Sequence, residues 1–346
     1  MRFNKYFWPL LESFGSWEEV WQSAHIPSGL CIPQDWWAEF QVKKKLLDPH
    51  RVLEGYRTKG INVVLRNDPL FPACLLQVMN IPCILYCCGD ISLLSQKSLA
   101  IVGARKATAY GLQQARTIAR RIAQEGLAIV SGLARGIDAA AHEGALAADG
   151  ATVAVLGSGL NRPYPRETLP LFKRICEDGL VISEYPPDTS PLRTNFPIRN
   201  RIISGLSLGV CVVEAQAKSG SLITCDLALE QGKDVFAVPG PVTSPNSIGT
   251  LRLIQSGAKL VIYPEDILEE LGIAVKDSLF KNLEDKTKRI SEKEKQVLNA
   301  LSWEPLHMDK LLLKGVEFRK GLYETLLRLE CHGLIKQLPG KYYVRV

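Results

Sequence analysis

The chain has 346 residues, 46% hydrophobic and 23% charged, the balance of a soluble globular protein with room for two or three domains. Its formal net charge of +6 is modest, and residues 281–346 carry most of the excess, with 14 Lys/Arg against 9 Asp/Glu. Nine scattered cysteines without a Cys-x-x-Cys pair, five histidines without metal-ligand spacing and no uninterrupted apolar stretch after Met1 argue against a zinc module, a disulfide scaffold and a membrane span. The expectation is a cytoplasmic protein with reduced thiols, no metal and no membrane partner.

Residues 1–60 read as helical and hold Trp8, Trp17, Trp21, Trp36 and Trp37, enough aromatic surface for a small core. Ser16-Trp17-Glu18-Glu19 has capping-box spacing. Strand-like runs at 62–65 and 84–87 lead onto a larger block. From 98 to 263, β-branched runs at 99–102, 128–130, 152–156, 180–182, 210–213, 234–238 and 260–262 alternate with helical patterns at 111–124, 137–148, 168–177 and 222–230. Strict alternation predicts an α/β domain with a doubly wound, mostly parallel sheet, because parallel neighbours need crossover helices. The polar run 281–289 reads as a linker. The tail predicts a helix opened by Ser291 and Glu294, helices at 308–313 and around Leu322, Leu326 and Leu329, and a hairpin turning at Pro339-Gly340-Lys341. Three helices and a hairpin in this order suggest a winged-helix domain.

In a doubly wound sheet the ligand crevice lies beyond the carboxyl ends of the strands. Small and basic residues stand there: Gly103-Ala104-Arg105-Lys106, Ser131-Gly132-Leu133-Ala134-Arg135-Gly136, Gly157-Ser158-Gly159, Ser183-Glu184, and residues 214–221 with Lys218-Ser219-Gly220-Ser221 before a helix. Glycines admit a ligand to the backbone, and helix N-termini present free amides to anions. Any one of these loops is explained as well by tight-turn geometry; four with basic residues among them favour an anion. The run Phe196-Pro197-Ile198-Arg199-Asn200-Arg201 adds two guanidiniums, an amide and a ring beside a helix start, the groups that suit a phosphate-bearing polymer.

Several other chemistries lack their residues. No Gly-x-Gly-x-x-Gly fingerprint or Walker loop is present. Gly205-Leu206-Ser207-Leu208-Gly209 spells a nucleophile elbow but precedes a strand, so Ser207 reads as structural, as does His142. Asp138 is expected to cap the following helix and Glu214 to orient an arginine.

The ordered motifs Ile101-Val102-Gly103-Ala104-Arg105, residues 131–142, residues 196–204, Lys218-Ser219-Gly220-Ser221-Leu222-Ile223-Thr224 and Val238-Pro239-Gly240 make the chain resemble the DNA-processing protein A family, DprA or Smf. The resemblance implies an extended Rossmann-like domain at 61–275. A SAM-like or helix-hairpin-helix-like domain at 1–60 would precede it, and a linker at 276–289 and a winged helix at 290–346 would follow. It further implies single-stranded DNA binding, homodimerisation and loading of the RecA recombinase during natural transformation, with no catalytic activity and no cofactor. Residues expected at the DNA are Gly103, Arg105, Lys106, Ser131, Gly132, Arg135, Gly136, Arg193, Phe196, Arg199, Asn200, Arg201, Lys218, Ser219, Gly220 and Ser221. One departure stands out: Gly249-Thr250-Leu251 has leucine where related sequences have asparagine.

Two other readings use the same crevice. A phosphoribohydrolase-like enzyme would need Glu214 or Glu230 as a catalytic carboxylate, and a nucleotide-sensing module would saturate with a mononucleotide. For the tail, the helix bearing Arg319, Lys320, Tyr323 and Arg328 suits duplex DNA or a protein partner alike.

Overall fold

Runs such as Leu99-Ala100-Ile101-Val102 and Val153-Ala154-Val155-Leu156 are apolar on both strand faces, the pattern of a sheet covered on both sides by helices. The structure, a computed structural model, describes residues 3–274, 291–314, 321–331 and 333–345. It divides into two compact units, Met1–Ala274 and Val275–Val346.

The first unit begins with four helices, α1 (Phe3–Phe14), α2 (Trp17–Gln22), α3 (Gln34–Leu46) and α4 (Pro49–Arg57). Leu10, Val20, Ile32 and Trp37 form their buried core, with Trp17 and Trp36 against it and Trp21 edge-on to Phe40. The side chain of Trp8 lies outside the described residues. The Ser16 side chain accepts the Glu19 amide hydrogen to start α2, and Asp48 with Pro49 starts α4.

The sheet follows, with β1 (Asn62–Leu65), β2 (Ile84–Gly89), β3 (Ser98–Val102), β4 (Ala128–Ser131), β5 (Thr152–Leu156), β6 (Leu180–Ser183), β7 (Gly209–Val212), β8 (Asp234–Ala237) and β9 (Lys259–Leu260). The spatial order is β1-β2-β6-β5-β4-β3-β7-β8-β9. Strands β6 to β9 run parallel, and β2 and β1 extend the sheet antiparallel from β6. The crossover helices are α5 (Ala109–Gln124), α6 (Ile137–Leu146), α7 (Leu169–Asp178), α8 (Asn195–Leu206) and α9 (Gly220–Glu230). From β3 the chain winds outward through β4, β5 and β6. Helix α8 then carries it back across the sheet to β7 on the other side of β3, so the switch point lies between β3 and β7.

Two helices beyond β8, α10 (Ile248–Gln255) and α11 (Pro264–Glu270), were not expected from the sequence. Both are short, and the first turn of α10 holds Gly249 and Thr250, residues of low helix propensity. The expected strand at 260–262 is correspondingly shorter. The Asp266 carboxylate accepts the amide hydrogens of Ile262 and Tyr263 at 2.7 and 2.8 Å, taking donors that a longer ladder would need and using them to cap α11.

The second unit consists of helix Glu292–Ala300, β10 (Leu306–His307), helices Met308–Lys314 and Leu322–Cys331, and the hairpin of β11 (Ile335–Leu338) and β12 (Tyr342–Arg345). Ser291 and Glu294 form a reciprocal capping box, and the three antiparallel strands run in the order β10-β12-β11. Leu322, Leu326 and Leu329 close over Val297, Leu298 and Tyr343. This helix–strand–helix–helix–hairpin order is that of a winged helix. The expected linker at 276–289, and Arg319 and Lys320 ahead of the third helix, lie outside the described residues.

Helix α8 carries the Phe196–Arg201 run, and one side chain serves three carbonyls at its C-terminal end. The Lys233 ammonium donates to the carbonyls of Ser204, Gly205 and Ser207 at 2.7, 2.6 and 2.6 Å. Burial pushes its pKa down, yet all three of its hydrogens are used. Lys233→Met leaves those carbonyls without this donor and is expected to lower unfolding free energy by about 1–3 kcal/mol in a denaturant titration. An unchanged midpoint would mean that water replaces the ammonium at no cost.

Candidate nucleic-acid interface

Beyond Val102 of β3 and Val212 of β7 the chain leaves the sheet in opposite directions, opening a crevice of the kind that holds ligands in this architecture. Its volume is about 790 Å³, and its walls include Gly103, Arg105, Lys106, Arg193, Phe196, Arg199, Asn200, Ser219, Gly220 and Ser221. These expected residues come from four separate segments: the loop after β3, the loop before α8, α8 itself and the start of α9.

Arg199 faces inward. Its guanidinium donates to the Gly132 carbonyl at 3.0 Å and to the Val155 carbonyl, and its Nε donates to Asn200 Oδ1 at 3.3 Å. Burial lowers its pKa to about 10, against the opposing pull of Asp138. The Asp138 Oδ2 in turn accepts from the amides of Gly132 and Ala134 at 3.2 and 3.4 Å. Burial raises the Asp138 pKa and the Arg199 charge works against that rise. A Cβ on Gly132 would lie 2.6 Å from Arg199 Nη2 and 2.8 Å from Asp138 Oδ2, so that glycine makes room for the pair rather than for a ligand. Arg199 therefore reaches the cleft only as part of its floor.

Burial, pairing or position sets several of the expected residues apart from the cleft wall. Arg201 turns away from the cleft into a fork–fork pair with Glu184 at 2.8 and 2.6 Å, and also donates to the Asn80 and Ile198 carbonyls. Ser131 is fully buried and its hydroxyl donates to the Ile101 carbonyl at 2.6 Å. Gly136 has φ +77°, and a Cβ there would clash with the Ala104 carbonyl oxygen, so backbone conformation and space explain the glycine without a ligand. Arg135 is exposed but paired with Glu167, and Lys218 is exposed without lining the cleft. The expected roles of the two carboxylates also change. Asp138 holds the 132–134 loop, while Gly136 occupies the cap position of α6. Glu214 accepts the Thr108 amide hydrogen at 2.9 Å and its hydroxyl, fixing Thr108 as the cap of α5. Ser207 donates to the Ile203 carbonyl at 2.9 Å, and His142 meets Thr152 Oγ1 at 2.7 Å with its pKa pushed down to about 3 by burial.

What faces solvent is a set of three cations. Arg105, Lys106 and Arg193 are exposed, and no carboxylate among the described residues pairs with any of them. Opposite them α9 begins in the open. Ser219 caps it, its hydroxyl lies 2.7 Å from that of Ser221, and nothing stands within 4 Å of where a Gly220 Cβ would be. Phe196 is half-buried against Gly157, with the Arg105 and Arg199 guanidiniums 5.7 and 6.0 Å from its ring centre.

Sequence reasoning missed Tyr164 and Pro191 and named Gln216, Ile223 and Thr224 only within longer runs; all five line the cleft. It missed Asn246 too, whose side chain donates to the Lys106 carbonyl at 2.9 Å and accepts from Gln216 at 3.1 Å, tying two cleft loops together. Leu251 does not line the cleft. Tyr164 had a usable signal: an aromatic between two prolines, directly after the Gly157-Ser158-Gly159 loop at a strand end.

A family model described as DNA recombination-mediator protein A matches residues 62–272. The chain is similar to the DNA processing protein DprA of Bacillus subtilis, 46% identical over 222 residues that span 64% of this chain and 75% of that protein. Its fold is similar to that of DNA processing protein A from Streptococcus pneumoniae, with a TM-score of 0.67 and 38% identity over 77% of this chain and 93% of that one. It is also similar to DNA processing protein A from Helicobacter pylori, with a TM-score of 0.56 and 32% identity over 61% and 95% of the two chains; that structure was reported for its single-stranded DNA binding mode.

The opposite settings of two cleft arginines separate folding from binding. Arg199→Met leaves Asp138 buried without its cation and is expected to cost about 3–5 kcal/mol of stability. Arg105→Ala removes an exposed side chain and is expected to stay within about 0.5 kcal/mol of wild type. Parallel denaturant titrations of the two variants measure this, and equal losses would contradict the assignment.

Proposed function

The chain belongs to the DNA recombination-mediator protein A family, and from that premise we propose that it binds single-stranded DNA along the β3–β7 cleft, dimerises, and hands the strand to RecA during natural transformation. The observation that carries this reading is the arrangement of Arg105, Lys106 and Arg193, free of carboxylate partners among the described residues, around an aromatic floor and the open start of α9. Cations on separate loops suit successive phosphates of one strand better than the compact charge of a mononucleotide. A crevice lined by aromatic rings also suits unpaired bases, whose faces are accessible only when the strand is single. The single-stranded DNA binding reported for the Helicobacter pylori relative supports the same ligand.

The reading assigns no covalent chemistry. Asp138 is the only carboxylate lining the cleft among the described residues, and it is buried, accepting from the Gly132 and Ala134 amides under the influence of the Arg199 charge. Glu214 is committed to Thr108, and Glu230 ends α9, a helix whose length of about 15 Å separates it from the cleft end. Neither is placed to activate a water, which disfavours the nucleotide-hydrolase alternative. In the winged-helix unit, exposed Tyr323 and Leu327 lie on the third helix beside Arg328, which Glu324 neutralises at 2.7 Å. That surface suits a protein partner better than duplex phosphates.

Oligonucleotide binding measured against salt tests the proposal. Single strands are expected to bind more tightly than duplexes of equal length. Arg105→Ala should flatten the slope of log K against log salt by about 0.7, one released counterion on a single strand. RecA nucleation on the bound strand should be faster with wild type than with Arg105→Ala. Wild-type affinity and slope in that variant would overturn the cleft as the DNA site.

A further inference from the structure

Of the two rings at the cleft, the sequence singled out Phe196, but the geometry favours the other as a platform for bases. Phe196 has its ring against the Gly157 backbone, so closely that a Cβ there would lie 2.8 Å from Cδ1. Two guanidiniums, those of Arg105 and Arg199, stand 5.7 and 6.0 Å from the ring centre. A base stacking on this ring would have to compete with cations already attracted to the π-face. Among the described residues no cation stands over the Tyr164 ring. The residue is 44% exposed, lines the cleft, and meets Phe196 in a tilted contact with centroids 5.8 Å apart at 53°, its exposure leaving part of the tyrosine ring open.

We propose that Tyr164 is the base-stacking residue of the cleft and that Phe196 is a positioning residue, holding the Arg105 guanidinium where it can meet phosphate. This division of labour rests on the single-stranded DNA reading above. It assigns base contact to the loop between β5 and α7, and phosphate contact to the loop after β3, which brings the strand's two chemical sides to different walls of the crevice. The two walls are joined by the Tyr164–Phe196–Arg105 contact, so base and phosphate recognition share one support. The tyrosine hydroxyl has no part in the stack, and a phenylalanine serves in its place.

The test uses the full chain and two probes of equal length and charge, an oligothymidylate and an abasic phosphodiester strand. Tyr164→Leu keeps apolar bulk against Phe196 while removing the π-face. It is expected to weaken binding of the oligothymidylate about tenfold, within the range found for lost base–aromatic stacks, and to leave the abasic strand and the salt slope unchanged. Tyr164→Phe should bind both strands as wild type does. Phe196→Leu should weaken both strands alike and flatten the salt slope, as loss of a positioned cation requires. Wild-type affinity of Tyr164→Leu for the oligothymidylate, or an equal loss on the two probes, would overturn the assignment. Failure of the wild-type chain to bind either probe would instead overturn the single-stranded DNA reading, so the two failures are distinguishable.

Discussion

The buried guanidinium of Arg199 is the interaction on which the cleft depends. It reaches from α8 to the carbonyls of Gly132, just past β4, and Val155 within β5, while Asp138 from α6 holds the 132–134 loop by its amides. One cation thereby fixes the ends of two strands, the loop between β4 and α6, and the angle at which α8 crosses the sheet. An ion buried so completely requires every donor and acceptor around it to be matched, since an unmatched charge would cost several kcal/mol. That requirement explains Gly132, where any Cβ would displace the guanidinium, and it explains why the loop takes a single shape. The rim cations stand on a floor that this cluster makes rigid.

Two arginines only two residues apart on α8 have different structural tasks for a geometric reason. A two-residue step rotates the side chain by about 200° around a helix, so Arg199 and Arg201 leave α8 on opposite sides. Arg199 points at the strand ends, and Arg201 at the Asn80 carbonyl and Glu184. Both are buried because α8 is wrapped on both sides, with Ile202 and Ile203 in the sheet's core between them. The cations that remain in solvent come from loops, where no helix covers them. A scaffold of paired charges inside and unpaired charges outside is what a phosphate-binding surface needs, because only the outer set retains binding capacity.

The sheet was legible because parallel strands covered on both faces are continuous apolar runs, and the runs at 152–156 and 180–182 coincide with β5 and with most of β6. The short helices α10 and α11 were not, since each depends on a tertiary or capping contact, such as Asp266 with the Ile262 and Tyr263 amides, that no periodicity announces. In the cleft, residue type and strand-end position were enough to find Arg105, Lys106, Phe196 and the Ser219–Ser221 turn. They could not separate a rim cation from a buried one. Burial of Arg201 requires Glu184, and burial of Arg199 requires Asp138 and two carbonyls, partners that are 17 to 67 residues away in sequence and adjacent only in the fold. Tyr164 was missed because it stands outside the ordered motifs, and its place between two prolines does not say which way the ring faces.

The fate of the acidic groups completes the argument about chemistry at this crevice. A carboxylate that serves as base or nucleophile must keep a lone pair free at the ligand, and proximity alone does not provide that. Asp138 and Glu214 both stand at strand ends beside the switch point, where a catalytic acid would be placed. Each has been turned to backbone amides instead: Asp138 to Gly132 and Ala134, Glu214 to Thr108 at the start of α5. The same amides, left unpaired, would be the natural binding site for a ligand phosphate. With those amides taken by its own carboxylates, the fold leaves the Arg105–Lys106 loop, Arg193 and the open turn at Ser219–Ser221 as the places along the cleft wall where the proposed phosphate contacts would fall. Those three places lie on different segments around one aromatic floor, an arrangement that suits the extended ligand proposed above better than one compact charge.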